Sequence, residues 1–466
     1  MILKKNTIKI NILPIIKKLF SKLIFFMGII FFIIVTTIVV YYYSSGMHER
    51  FKPNLLVKKI DKVILDKYLG FSIFEIDDYI KIKFKSLKYI FIKNKLEYIG
   101  IIIDQKNLHN LELQRRNKKN RSVPILANFA TAKLISENKE YDIKLRLKGD
   151  RVLHWYNKDQ VSYKVDLKGK NIVWGLEEFS VQKPIIRNYV YEFTFHKLLK
   201  FNELISLKYF FINLSLNDTD RGIYAVEEGF SKELIERNKK KNGPIFGLDE
   251  RSGVRYPNVK YDLYSKDYWI SNYPELIESA LLKLENLKNK KINVNEIFDL
   301  GKWATFFATI DLSNTLHGSL SKSVKLYYNP VTKKFEPIGF DGHHNSTLFN
   351  EFLILDFMDK KNLNCSYVCR DREWYLRFFK NKDGSNNSEF IELYLDALRN
   401  ISSQKFLENF NKKYSEEIQF NNLQLQSETS KKDLNYYKGL GLYIFNENFL
   451  LEKSKYINDR LKKYDL

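Results

Sequence analysis

The stretch FEPIGFDGHHN, residues 335–345, holds the residue types in this chain that are best suited to chemistry. Asp341 follows an apolar run and precedes a glycine and two adjacent histidines, His343 and His344. A carboxylate beside imidazoles can bind a divalent cation, but the same composition is common in polar turns. Neighbouring residues of an extended strand point to opposite faces, so we expect one histidine at most to join Asp341 unless the loop bends. A metal site, a catalytic loop and a plain turn are the three interpretations.

The elements around this stretch can be read from hydrophobic periodicity. VKLYY and KKFEPIGF predict two strands across the turn NPVTK, and Asp341 comes directly after the second strand. Upstream, GKWATFFATIDLSNTLHGSL has the apolar spacing of a helix that carries Asp311 and runs toward His317. Further upstream, LKYFFINLSLNDTDRGIYAVEEGFSKELIERN predicts a hairpin followed by a helix. Asp341 is therefore expected at the exit of a hairpin.

Two earlier segments alternate apolar and polar residues with the period of a half-buried strand. In YDIKLRLKGD the polar positions include Arg146 and Lys148, and in VSYKVDLKG they include Lys164. Paired strands would present these three cations on one face, where they could contact phosphate. A solvated sheet face explains the same pattern in a lysine-rich chain, so both interpretations stay open.

The amino-terminal region predicts a membrane anchor. Residues 23–43 contain no charged side chain, and at 1.5 Å per residue this run spans a hydrocarbon core of about 30 Å. Six lysines and no acidic residue precede it, which predicts a cytoplasmic tail at 1–22 and an extracytoplasmic location for the rest. A cleaved signal peptide is less consistent with the length of the run. Residues 44–115 are interpreted as a membrane-proximal region.

Composition limits the function classes. The 466 residues carry a formal net charge of +22, but the lysines are scattered rather than gathered in one basic block, so we expect no specific nucleic-acid binding. The two cysteines, Cys365 and Cys369, are too few for a four-ligand zinc site, and their spacing makes a disulfide awkward. A hydrophobic core must therefore hold the fold.

An ordered set of motifs carries a family resemblance. LRLKGD, SYKVDLKG, RNYVYEFTFHKLL, RGIYAVEEGFSKELIERN, GPI and LYYNPVTKKFEPIGFD follow one another along the chain. In this order they resemble the spore-coat CotH protein kinase family. The resemblance implies an α+β, atypical protein-kinase-like fold over residues 116–466, after the transmembrane helix. It also implies transfer of phosphate from ATP to a protein at the cell envelope or surface, with Mg²⁺ or Mn²⁺ as the metal cofactor.

The resemblance also implies roles for the nucleotide-contacting residues. Lys148 and Lys164 would contact phosphates, with Arg146 in support. Glu192, in YEFTFH, would orient a lysine, and it is equally well explained as an exposed helix glutamate. Glu228 would lie near the hinge or nucleotide pocket.

At the catalytic end, Asp341 matches the family's metal-binding aspartate, and Asp311 or the polar stretch that runs to His317 would lie near the acceptor hydroxyl. The sequence departs from the family where His343 replaces a second aspartate and Phe340 replaces a tryptophan. Histidine at the metal favours softer ions such as Mn²⁺ or Zn²⁺ over Mg²⁺.

Two other functions remain open from the sequence. One is a catalytically inactive envelope scaffold or assembly protein, since ATP is scarce outside the cytoplasm. The other is a metal-dependent hydrolase that uses Asp341, His343 and His344, although no further ligand motif accompanies them.

Overall fold

The structure is a computed structural model that describes residues 96–119, 128–149, 154–155, 159–248, 256–342, 352–359, 371–428 and 448–464. All of them belong to one compact unit, Lys85–Leu466. The boundary predicted at 115/116 falls inside a helix of this unit, Gln105–Lys119.

Seven strands between Tyr98 and Glu228 form a barrel, and one helix packs against two of them. The strands form a closed barrel in the order β1-β2-β3-β4-β5-β7-β6. Their bounds are β1 Tyr98–Ile102, β2 Ala130–Ser136, β3 Lys139–Leu147, β4 Tyr163–Leu167, β5 Glu178–Gln182, β6 Tyr209–Leu216 and β7 Thr219–Glu228, and α1 is Gln105–Lys119.

Strand β1 closes the barrel. It pairs antiparallel with β2, where Gly100 faces Ile135, and parallel with β6, where Gly100 faces Ser215. Side chains alternate along a strand, so one apolar set from each strand fills the interior. Leu145 and Val165, for example, are fully buried there.

The outer face of the sheet carries a polar row. Directly paired residues project from the same face. The register pairs Arg146 with Lys164, Lys164 with Ser180, Ser180 with Glu227, and Glu227 with Tyr209. Since the neighbours of these residues along each strand fill the interior, the row lies on the outside of the barrel.

The rest of the described chain is a small sheet surrounded by helices. The sheet is antiparallel, in the order β11-β10-β8-β9, with β8 Ile245–Leu248, β9 Tyr261–Leu263, β10 Lys325–Tyr328 and β11 Phe335–Ile338. The helices are α2 Val190–Phe201, α3 Lys232–Arg237, α4 Lys266–Asn272, α5 Pro274–Lys288, α6 Val294–Ile297, α7 Leu300–Ser313, α8 Arg372–Phe379, α9 Ser388–Ile401, α10 Gln404–Glu428 and α11 Phe449–Leu461. Short 3₁₀ helices lie at Pro184–Arg187, Leu316–Ser319 and Ile354–Met358.

Aromatic side chains hold this second part together. Helix α7 is apolar on most of its surface and is buried along most of its length. The ring of Trp303 lies 4.8 Å from that of Phe378, and Phe298 stacks on Phe378 at 5.2 Å. Burial of such large rings contributes about 1.5–3 kcal/mol per side chain relative to exposure. The core around α7 therefore provides the rigid support for the loops that leave β11 and α7.

Most local predictions are confirmed. β3 and β4 have the predicted alternation, the β6–β7 hairpin leads into α3, and β10 and β11 form the predicted hairpin. Asp311 lies in helix α7, as predicted.

The predicted fold class is wrong beyond its mixture of helices and strands. In place of a kinase-like fold, the described residues form a closed seven-stranded barrel joined to a helical part with its own small sheet. The physical reason is long-range pairing: β1 meets β6 at Tyr98 and Asn213. The order of motifs along the chain contains no information about that closure.

The part of the chain that the structure describes includes no helix with the length and apolar character needed to cross a membrane. The predicted span itself, residues 23–43, lies outside the described residues.

Candidate functional site

A cluster of charged side chains is buried where the barrel meets the helical part. Its members are Lys148, Arg187, Glu192, Glu227 and Asp341, which we call the charged cluster. Their side chains are between 0 and 14 % exposed. Ionised groups are rarely buried to this extent unless they are paired or bind ions. The cluster is therefore the strongest candidate for a functional site among the described residues.

Lys148 enters the cluster from the end of β3. Its backbone N–H donates to Ser162 O at 2.9 Å, which extends the pairing of β3 with β4 by one residue. Its ammonium group pairs with Glu227, which also accepts from Gln182 Nε2 at 3.0 Å. Burial lowers the pKa of Lys148, while Glu227 opposes this effect. Burial works against ionisation of Glu227, but Lys148 and Arg187 together lower its pKa.

Arg187 links the two parts of the molecule. It ends the 3₁₀ helix Pro184–Arg187 and pairs with Asp341 through Nη1 and with Glu227 through Nε, the latter at 3.4 Å. Its guanidinium lies 5.3 Å from the centre of the Phe340 ring. Burial disfavours the charge of Arg187, but the two carboxylates outweigh it and raise its pKa.

Asp341 is held in an uncommon backbone conformation. Its φ is +60°, in the left-handed region that aspartate tolerates better than most residues. A side chain on Gly342 would place its Cβ 2.2 Å from Phe195, so only glycine fits after Asp341. His317 Nδ1 lies 3.2 Å from Asp341 Oδ2 and 3.0 Å from its backbone oxygen. The carboxylate is thus fixed between an arginine and an imidazole.

Glu192 comes from the first turn of α2 and is fully buried. Its Oε1 accepts a hydrogen bond from Gly342 N at 3.2 Å, and His196 Nε2, one helical turn further on, lies 3.2 Å from the same oxygen. Its Oε2 has no hydrogen-bond partner among the described residues. A buried carboxylate oxygen with no donor is costly, and a bound cation would remove that cost.

By residue type, the charged cluster is compatible with a divalent cation and phosphates, although the described residues include no group of three or more His, Cys, Asp or Glu side chains placed to hold a metal ion by themselves. Glu192 and Asp341 offer the hard oxygen ligands that Mg²⁺ and Mn²⁺ prefer, and Glu192 Oε2 is the orphaned atom toward which a cation would be drawn. Lys148 and Arg187 are of the two residue types whose cationic side chains commonly bind phosphate in proteins. His343, the other predicted metal ligand, and His344 lie outside the described residues.

The structure brings Lys148, Glu192 and Asp341 together, although Lys148 pairs with Glu227 rather than with Glu192. Two predicted cations are engaged elsewhere. Lys164 pairs with Glu178 at 2.6 Å and lies 3.7 Å from Asp166. Arg146 lies over the Phe129 ring at 5.3 Å.

Two predicted carboxylates also have other partners. Glu228 is buried, pairs with Arg237, and accepts from Lys208 N at 2.6 Å. Burial raises its pKa. Asp311 accepts from the Tyr394 hydroxyl and from Ile354 N, the latter at 3.0 Å. Both carboxylates thus stabilise local structure.

The sequence did not indicate Arg187 or Glu227, and it indicated His317 only as the end of a polar stretch near the acceptor hydroxyl, not as a partner of Asp341. Glu227 adjoins Glu228 in AVEE, and strand alternation indicates that the two point to opposite faces. Both sides of β7 are buried at this end, so alternation could not tell which glutamate reaches the cluster. Arg187, in KPIIRNY, belongs to no recognisable pattern and is found only through its partners.

Comparisons with known proteins add no further identification: no family model matches this chain, and a search of curated proteins finds no match either.

Proposed function

We propose that the chain is an ATP-dependent phosphotransferase that acts on a protein hydroxyl and uses the charged cluster as its active site. The observation that carries this proposal is the convergence of Lys148, Arg187, Glu192 and Asp341, from four separate segments, in one buried place. Phosphoryl transfer depends mostly on positioning and on charge neutralisation, and these residue types serve both. The motif order that resembles the CotH family supports the same activity.

Each side chain has a defined task in this proposal. Lys148 and Arg187 would donate hydrogen bonds to phosphate oxygens, and Glu192 and Asp341 would hold a divalent cation. The cation would supply charge neutralisation on the phosphates. His317, 3.2 Å from Asp341, would fix the orientation of that carboxylate.

An inactive scaffold is less well supported. A buried network of charges seldom adds stability over apolar packing, so a purely structural role does not explain why five charged side chains are gathered here. A metal-dependent hydrolase is less well supported too, because Asp341 already contacts Arg187, which suits a phosphate site better than a hydrolytic metal centre.

We also propose that the acceptor is a protein of the cell envelope and that the charged cluster lies outside the cytoplasm. The support is the charge pattern of the amino terminus, where six lysines precede the apolar run at 23–43. A reporter that is active only outside the cytoplasm, fused after Leu466, should give a signal. Activity of a cytoplasmic reporter at the same place would contradict this location.

Phosphotransfer tests the proposal directly. The full-length chain incubated with labelled ATP and Mg²⁺ or Mn²⁺ should label itself or an added basic protein. Asp341→Asn should reduce labelling by about 10²-fold or more, because the amide keeps the shape but cannot neutralise a cation. Lys148→Met should weaken ATP binding by about tenfold, since it removes a charge-assisted hydrogen bond.

Lys164→Met is the matched control for Lys148→Met. Lys164 lies on the adjacent strand β4 and is paired outside the charged cluster. Lys164→Met should leave the affinity for ATP unchanged within about twofold. Undiminished labelling by Asp341→Asn, or equal effects of the two lysine substitutions, would contradict the assignment of the active site. ATP binding without labelling would favour the scaffold.

A further inference from the structure

A second candidate site lies away from the charged cluster. A surface cavity of about 250 Å³ opens between the start of β5, the segment that joins β7 to α3, and the start of α4. Four aromatic side chains line it: Phe230, Tyr264, Tyr268 and Trp269. Its volume is that of a small molecule or of one long side chain.

Two carboxyl groups and a side-chain amide are among the polar groups that line the cavity. Glu177, at the rim, and Glu233, in the first turn of α3, are neighbouring carboxyls. Burial, together with the charge of Glu233, raises the pKa of Glu177. Within the described part of the chain, Glu233 Oε2 and Asn242 Oδ1 are buried and accept no hydrogen bond. These two buried acceptors could be satisfied by a ligand that donates hydrogen bonds.

Two cations lie near the cavity, and Lys325 Nζ is 5.9 Å from the centre of the Phe230 ring. Lys232 Nζ lies 3.7 Å from Glu233 Oε1, and the lysine side chain is 58 % exposed. Exposed pairs of this kind contribute between nothing and about 1 kcal/mol. A ligand with several donors and a positive charge would satisfy what the protein leaves unpaired.

The aromatic rings favour an organic cation over a metal ion. The Phe230 and Tyr264 rings lie 4.8 Å apart, and those of Tyr268 and Trp269 lie 5.2 Å apart, so ring faces and edges surround the opening. Ring faces attract organic cations. A hard metal ion would need more oxygen ligands than the two carboxylates and one amide supply.

We infer that this cavity binds a protonated primary amine, whose ammonium group donates to Glu177, Glu233 and Asn242 while its carbon chain lies against the rings. An ammonium group has three donors and no acceptor, which complements these three groups. The inference does not depend on the proposed phosphotransfer, since none of these residues belongs to the charged cluster.

Titration calorimetry on the full-length chain tests the site with n-butylamine and putrescine as probes and 1-butanol as the neutral counterpart. Both amines should bind, and 1-butanol should bind at least about tenfold more weakly, because it lacks the charge. Glu233→Gln should weaken amine binding by about tenfold or more, and Asn242→Leu should weaken it as well.

Glu236→Gln is the matched control, because Glu236 lies on the same helix, is exposed, and does not line the cavity. It should bind both amines like the unaltered chain. Circular dichroism verifies that each variant is folded. The inference is overturned if neither amine binds at about 10 mM. It is also overturned if 1-butanol binds as well as n-butylamine, or if Glu236→Gln and Glu233→Gln have equal effects.

Discussion

The carboxyl group of Asp311 is buried between helices α7, α9 and α11. It accepts hydrogen bonds from Tyr394 and from the backbone of Ile354, and Lys453 of α11 lies near enough to interact with its charge. Burial raises the pKa of Asp311 from 3.8 to about 7, and Lys453 opposes this shift. A group so far from its ordinary pKa links the stability of the fold to pH.

The sign of that linkage gives a prediction. Between about pH 4 and pH 7 the folded chain keeps a proton on Asp311 that the unfolded chain has lost. The contribution of Asp311 to the free energy of unfolding therefore decreases as pH rises through this range, by at most about 1.4 kcal/mol per pH unit. Above about pH 7 this contribution no longer changes with pH. In Asp311→Asn this contribution should be absent. Urea unfolding of both proteins across the range measures the difference.

Asp396→Asn is the control for Asp311→Asn. Asp396 is on α9 and its side chain is 74 % exposed. The unfolding free energy of Asp396→Asn should change with pH in the same way as that of the unaltered chain. If Asp311→Asn also follows the unaltered chain, the raised pKa of Asp311 is refuted.

Individual residues were predictable from the sequence when the local pattern limited them. Asp341 is predictable as a site residue because it directly follows a predicted strand and precedes a glycine. The reason for that glycine, the contact that a Cβ would make with Phe195, is visible only in the packing. Asp311 was placed on the right helix, but its partner Tyr394 is 83 residues away. No pattern indicates that this carboxylate is buried under a tyrosine rather than near the charged cluster.

Among the elements, β1 decides whether the sheet is open or closed. Ile101 on β1 points into the barrel and is fully buried, whereas Ile102 points outward and is 40 % exposed. Ile101→Ala should lower the free energy of unfolding by about 2–5 kcal/mol, through lost burial and the cavity left behind. Ile102→Ala should lower it by about 0.5 kcal/mol or less. Chemical denaturation measures both.

Equal losses for Ile101→Ala and Ile102→Ala would mean that β1 does not pack into the barrel as described. The comparison is well matched, because the two isoleucines are adjacent on one strand and differ only in the face from which they project.

The sequence predicted elements better than their assembly. The β3 and β4 strands and both hairpins were recognisable because alternation and turn residues are local signals. The closing pair of β1 and β6 joins distant segments, and the wrong fold class followed from that omission. Pairing of this kind depends on the three-dimensional packing of the whole sheet.

For the molecule as a whole, Arg187 is the tie between the barrel and the helical part, since it pairs with Glu227 of β7 and with Asp341 after β11. Arg187→Met would leave two buried carboxylates without their shared cation. We expect a loss of about 3–5 kcal/mol in the free energy of unfolding, as is usual when one partner of a buried ion pair is removed.

Arg116→Met is the control for Arg187→Met. Arg116 pairs with Glu112 at 2.9 Å on α1, and its side chain is 68 % exposed. Its substitution should cost about 1 kcal/mol or less. Equilibrium unfolding in urea compares the two variants. A loss of unfolding free energy as small for Arg187→Met as for Arg116→Met would show that the ion pairs of Arg187 add little to stability.

Barrel closure also has a consequence for the newly made chain. The parallel pair of β1 and β6 joins Tyr98 to Asn213, positions that differ by 115 in the numbering. At roughly 5–20 residues per second, the ribosome releases β1 about 6–23 s before its second partner exists. During that interval β2 covers only one side of β1, and the uncovered side is the kind of strand edge that invites pairing with other chains. Synthesis therefore creates a vulnerable period that ends only when β6 emerges.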